Sequence, residues 1–267
     1  MAQRYAEFHR CSIEDREGFW REQALLIDWQ RPFDRVLDYS RPPFARWFVG
    51  GLSNLCHNAV DRHLAVRGDQ KALIWISTEL DKTASFTYRQ LHDEVNRVAA
   101  MMQALGLKRG DRVIIYMPNM PEAVFAVLAC ARLGAVHSVV FGGFAAASLA
   151  ARIDDARPLL MVTADGGSRM GKVIAYKPLV DESIRLSKHP PAKVLIYRRG
   201  LVAPGAVLAD LRLGRADLKN LRGTPMPQDA AFDELRLKDV PTGTDLQVGN
   251  RLDPLIHFAG RTHVAFA

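Results

Sequence analysis

From Ala72 onward the apolar positions fall into short blocks that alternate between an extended and a helical spacing. Leu73 to Ile76 is a compact apolar run that predicts a strand, with Ser85 to Thr87 placed to pair beside it. Thr87 then caps a helix on which Leu91, Val95, Val98, Met102 and Leu105 recur every three or four residues, and Gly106 ends it. Arg109-Gly110-Asp111 turns the chain into a strand from Arg112 to Tyr116. Pro121 opens the next helix, where its missing amide is no loss in a first turn, and Gly134 closes it after Leu133. A strand from Val136 to Val140, a helix from Ala146 to Asp155 and a strand from Leu159 to Thr163 follow. Beyond a polar turn through Asp165 and Gly167 come a helix near Leu179 to Leu186 and a strand from Val194 to Tyr197. Strands alternating with helices of this length bury both faces of a sheet, which predicts an α/β fold with a mostly parallel, helix-flanked sheet.

The flanks read differently. Residues 1–70 are rich in aromatics and prolines among short helical patterns, as in a segment that wraps onto something larger. Ser12, followed three residues later by Asp15, predicts a helix start there. Pro42-Pro43 predicts an extended connector, and Asn54 to His63 a second helix with Leu55, Ala59 and His63 on one side. After Arg199 the periodicity fades, and Leu201 to Met226 carries none. The chain thus divides into residues 1–70, 71–198 and a poorly patterned tail, 199–267.

Composition narrows the function classes. A chain of 267 residues with 48% hydrophobic content can bury a core. Its 36 Lys and Arg against 29 Asp and Glu give a charge of +7 that favours anionic ligands. That charge is dispersed, and no helix-turn-helix, zinc-finger or RNA-binding pattern accompanies it, so no nucleic-acid partner is expected. Cys11, Cys56 and Cys130 lie far apart without a CxxC pair, which argues against a disulfide framework or zinc site and for a reducing, cytoplasmic setting. Met1 to Arg10 has no apolar signal region. The most apolar stretch, Ala123 to Ala151, is broken by Arg132, Gly134, His137, Gly142 and Gly143, so it predicts a buried helix–strand–helix and no membrane partner.

Two short motifs could hold an anion. Gly142-Gly143 lets backbone amides approach a phosphate without a Cβ in the way, just ahead of a helix, though two glycines also make an ordinary strand-to-helix turn. Arg169 and Lys172 flank Gly171, so in a turn or first helical turn both could meet one phosphate cluster, or they could be a solvated surface pair. Cys56, His57, Asp61 and His63 match no metal spacing, and GxSxG, HExxH and EF-hand patterns are absent, so no catalytic or metal-binding residue is assigned.

Longer segments shift these odds. Leu52 to His63 (LSNLCHNAVDRH), Phe86 to Leu91 (FTYRQL), Gly110 to Val113 (GDRV), Tyr116-Met117-Pro118 and His137 to Phe144 (HSVVFGGF) resemble the AMP-forming short-chain acyl-CoA synthetases, and among them the propionate–CoA ligases. The resemblance implies that residues 1–70 are that family's N-terminal region and that 71–198 begin its large adenylating domain. It also implies that Phe141, Gly142, Gly143, Arg169 and Lys172 face the nucleotide part of coenzyme A, with the two cations toward its phosphates. Lys172 stands where acetate enzymes carry an arginine, keeping charge and losing the two-pronged geometry. The family joins a short carboxylate to coenzyme A through an acyl-adenylate, using ATP and magnesium.

The tail departs from that pattern. Asp253 to Thr262 occupies the place of a Ser/Thr/Gly-rich loop that cradles ATP phosphates, and the loop is unrecognisable there. The resemblance therefore implies a truncated form or N-terminal fragment of a propionate–CoA ligase, not catalytic alone. Two alternatives stay open: a noncatalytic module that binds coenzyme A or associates with an intact synthetase, and an unrelated nucleotide-dependent oxidoreductase, which the missing GxGxxG disfavours.

Overall fold

The computed structural model describes residues 2–78 and 80–202. Expectations for the tail beyond 202, including the region 253–262, lie outside the described residues.

The central sheet is built as the periodicity predicts. Four strands, β5 (Arg112–Met117), β6 (Val136–Phe141), β7 (Leu160–Ala164) and β10 (Lys193–Tyr197), run in the order β10-β7-β5-β6, and all three neighbouring pairs are parallel. Helix α5 (Tyr88–Ala104) and helix α6 (Pro121–Leu133) cover one face, while α7 (Ala146–Ala156) and α8 (Tyr176–Leu186) cover the other. The strand period of two sorts β5 between these layers. Val113, Ile115 and Met117 pack with α5 and α6, whereas Ile114 and Tyr116 pack with Val140, Leu149 and Ile153. Each large side chain buried in this way contributes roughly 1.5–3 kcal/mol, so a strand buried on both faces anchors the sheet.

Local signals set the helix ends. Thr87 Oγ1 accepts from the Gln90 amide at 3.2 Å while Gln90 Oε1 accepts from the Thr87 amide at 2.9 Å, a reciprocal cap for α5. Pro121 begins α6, and Gly134, at φ 68°, ends it in the left-handed region that favours glycine. Ahead of α5, β3 (Lys71–Ser77) and β4 (Lys82–Thr87) form an antiparallel hairpin, the predicted pairing lengthened at both ends.

The N-terminal segment corrects several expectations. Ser12 does not start a helix: α1 (Ala2–Glu14) runs through it, and its hydroxyl donates to the His9 carbonyl at 2.7 Å. The cap is Asp15, whose carboxylate accepts from the Gly18 amide at the start of α2 (Arg16–Gln23). Pro42-Pro43 is no extended connector. It holds a cis peptide bond in the turn of a hairpin between β1 (Arg35–Arg41) and β2 (Phe44–Val49), whose largely exposed residues lack apolar alternation. The helix expected from Asn54 to His63 is shorter. Asn54 caps α3 (Leu55–Ala59), Val60 leaves helical geometry, and a single tight turn leads into α4 (Leu64–Arg67). Cys56 and Val60 are the buried apolar residues there, and Leu55 is exposed.

The polar turn expected through Asp165 and Gly167 is also a hairpin, formed by β8 (Gly166–Arg169) and β9 (Lys172–Ala175). It directly precedes α8. Met170 and Gly171, at φ 49° and 73°, give its two-residue turn the left-handed backbone that tight hairpins favour.

Candidate functional site

Ligands of open parallel sheets collect beyond the carboxyl ends of the strands, where the connections change direction. Here β5 leads through α6 to β6 on one side, and β6 leads through α7 back across β5 to β7. The carboxyl edge therefore gathers the ends of β5, β6, β7 and β10, and the glycine turn sits on it.

Phe141 to Phe144 is a closed turn, because the Phe144 amide donates to the Phe141 carbonyl at 3.1 Å. The two rings lie edge to face, 6.1 Å apart, and the guanidinium of Arg152 covers Phe144 at 5.1 Å. Phe141 itself is 59% exposed, a large aromatic face at the mouth of the site.

Close approach favours glycine at both central positions, most strictly at Gly142, whose neighbour is the buried Tyr176. A Cβ on Gly142 would overlap Tyr176 Oη, and one on Gly143 would stand 2.6 Å from Phe141 Cε1 and 3.0 Å from Arg169 Nη1. The structure thus brings Arg169 to the glycine turn, although 26 residues separate them in sequence. Arg169 and Lys172 are the last paired residues of the β8–β9 hairpin, and both are exposed. Of the two geometries open from sequence, a turn or a first helical turn, the structure has the turn.

The hairpin is fixed at its base. The Asp165 amide donates to the Tyr197 carbonyl at 2.9 Å, its carbonyl accepts from the Tyr176 amide at 3.0 Å, and its Oδ2 accepts from the Gly200 amide at 3.0 Å. Arg199 adds a bond from Nη1 to the Gly166 carbonyl at 3.1 Å. Asp165 is buried, and its Oδ1 has no hydrogen-bond partner among the described residues.

Tyr116 and Tyr176 pack beneath the glycine turn, and the sequence reading did not single them out. Tyr116 lies one residue before the end of β5 in a run of buried apolar residues, and a buried phenol needs an acceptor for its hydroxyl. That requirement was the available signal. Cys56, His57, Asp61 and His63 build no metal site; among the described residues no group of three or more His, Cys, Asp or Glu could hold a metal ion. No helix among them is long and apolar enough to cross a membrane.

Residues 60–232 match the family model described as AMP-binding enzyme. The chain belongs to the AMP-binding enzyme family. Residues 5–59 match a second model, the acetyl-coenzyme A synthetase N-terminus. The chain is 58% identical over 197 residues to propionate–CoA ligase of Salmonella typhimurium, covering 74% of this chain and 31% of that protein. The Escherichia coli propionate–CoA ligase is 57% identical over the same length and with the same coverage. Among solved structures, acetoacetyl-CoA synthetase from Streptomyces lividans superposes with a TM-score of 0.66 at 31% identity, over 72% of this chain and 32% of that one. As a member of this family the chain has the expected α/β fold, and it spans about a third of the length of the curated relatives it matches. Neither the oxidoreductase nor the noncatalytic alternative finds support in these likenesses.

Proposed function

We propose that this chain supplies the coenzyme A-facing first portion of an AMP-forming propionate–CoA ligase. The observation that carries the site is the approach of Arg169 to the glycine turn, with its Nη1 3.0 Å from the position a Gly143 Cβ would take. Phe141, Gly142, Gly143, Arg169 and Lys172 then meet the nucleotide end of coenzyme A. The residues fit that group. A Cβ on Gly143 would crowd Phe141 and Arg169, so glycine lets the two side chains approach the turn closely, and the guanidinium can engage a phosphate with two parallel hydrogen bonds. Lys172, across the hairpin, adds a point charge.

In the proposed reaction a short carboxylate attacks ATP to form an acyl-adenylate and pyrophosphate, and the thiol of coenzyme A then takes the acyl group and releases AMP. This chain's own part is to bind and orient the nucleotide end of coenzyme A. The described residues offer no ligand set for magnesium, and no step is assigned to it. Cytoplasmic placement accompanies the reading, since Cys11, Cys56 and Cys130 are all free thiols, as a reducing compartment keeps them.

Calorimetric titration of coenzyme A tests the site. Arg169→Ala is expected to weaken binding about tenfold, the scale of one charge-assisted bond, and Lys172→Ala by less. Equal affinity in wild type and Arg169→Ala contradicts the assignment. The 267 residues alone, supplied with propionate, ATP and magnesium, are expected to give no pyrophosphate exchange. Propionate-dependent exchange would show that adenylation lies within them.

A further inference from the structure

Two tyrosines stand beneath the glycine turn. Tyr116 is fully buried at the end of β5, and its Oη lies 3.0 Å from the Phe144 carbonyl and 3.4 Å from the Gly142 carbonyl. Tyr176, the first residue of α8, lies against it with ring centroids 5.1 Å apart and planes 31° from parallel. The Tyr176 hydroxyl reaches two backbones at once. It occupies the place of a Gly142 Cβ and stands 3.0 Å from the place of a Gly167 Cβ, so it touches both the turn after β6 and the strand that ends in Arg169.

We infer that Tyr116 and Tyr176 are positioning residues for the coenzyme A nucleotide: the first tethers the Phe141–Phe144 turn from below, and the second sets the distance between that turn and the hairpin carrying Arg169 and Lys172. The inference rests on the proposed coenzyme A site and explains how its two halves, from separate elements, are held in register. A phenylalanine would fill the space of Tyr116 among Ile114, Val140 and Leu149 equally well. The hydroxyl is what packing leaves unexplained. A phenol buried without an acceptor is costly, and the acceptors it finds are two carbonyls of the turn. Burial pushes the Tyr116 phenol up to about 12, with Tyr176 acting in the same direction, so it remains a donor throughout the neutral range. The same geometry restricts Gly142, since any side chain there displaces the Tyr176 ring and opens the gap between turn and hairpin.

Tyr116→Phe removes the tether and keeps the ring. The Phe144 amide reports the result, because its bond to the Phe141 carbonyl closes the turn. Its hydrogen exchange is expected to rise about fivefold and coenzyme A affinity to fall about fivefold, the scale of one hydrogen bond, while the thermal midpoint changes little. Gly142→Ala keeps both tyrosine hydroxyls but pushes the Tyr176 ring away from the turn, and it is expected to lose at least as much affinity. It decides the matter if Tyr116→Phe does not fold. Unchanged Phe144 exchange in Tyr116→Phe overturns the inference, as does unchanged affinity in both variants when wild type binds. If wild type does not bind coenzyme A but Tyr116→Phe still speeds exchange, the tether stands and the coenzyme A assignment falls.

Discussion

Arg132, near the end of α6, places its Nη2 2.5 Å from Asp61 Oδ1, joining that helix to a residue 71 positions earlier. The arginine side chain is 4% exposed and the aspartate 15%, so the pair is largely shut off from water. Asp61 also faces His57 Nδ1 at 3.9 Å and His92 Nε2 at 4.0 Å, and His57 reaches on to Asp28. Nearby, Asn54 donates to the Ala131 carbonyl at 3.1 Å. Together these contacts fasten Asp28, Asn54, His57 and Asp61 to α5 and α6.

Removing one partner strands the other in a poorly solvated place. Arg132→Ala is expected to destabilise the fold by roughly 3 kcal/mol, the scale for a broken buried pair. Replacing both residues by apolar ones of similar volume should cost less than either single change. Urea midpoints of the singles and the double check this, and an unchanged midpoint in Arg132→Ala removes the fastening role.

Little of that fastening was legible in the sequence. Thr87, Pro121 and Gly134 announce their helix ends because a cap acts within four residues, and β5 and β7 stand out because burial on both faces makes them almost continuously apolar. The Asp61–Arg132 pair, the tyrosine tether and the approach of Arg169 to Gly143 are contacts between distant elements, on which local periodicity is silent. The hairpins at Pro42-Pro43 and at Met170-Gly171 were missed for another reason: their strands are short or largely exposed, and neither turn carries an Asn-Gly or Asp-Gly signal. Gly142-Gly143 and the pair Arg169 and Lys172 stand out in the sequence as two separate anion-binding motifs, family resemblance joins them with Phe141 into one site, and the structure supplies the contact between Arg169 and the turn.

Acid should loosen the fold before its carboxylates titrate. Burial lowers the proton affinity of His137 in β6, and burial with Arg62 and Arg67 does the same for His63. Between the lowered folded value and the unfolded value near 6.5, the unfolded chain binds protons that the folded chain does not. Stability from these residues is therefore complete above that range and is lost as pH falls through it. Denaturation midpoints at neutral and mildly acidic pH should separate less in His137→Gln than in wild type, and an identical separation contradicts the assignment.

Thiol reactivity should divide the cysteines. Cys11 is exposed, whereas burial raises Cys56 and Cys130 to about 12, Arg132 partly opposing the shift at Cys56. Native protein treated with a thiolate-selective alkylating reagent should label rapidly at Cys11 and at the other two only on unfolding. Rapid native labelling of Cys130 would show that α6 is not packed as described.

The central claim is that the glycine turn and the two cations of the hairpin form one surface for the phosphates of coenzyme A. Titrating the folded chain with coenzyme A and with its dephospho form, at low and high salt, tests it most directly. Coenzyme A should bind more tightly at low salt, and its advantage should shrink as salt rises, since exposed charges are screened over about 10 Å at 0.1 M. Equal affinity for the two ligands at low salt, or no binding of either by a chain shown to be folded, would contradict it.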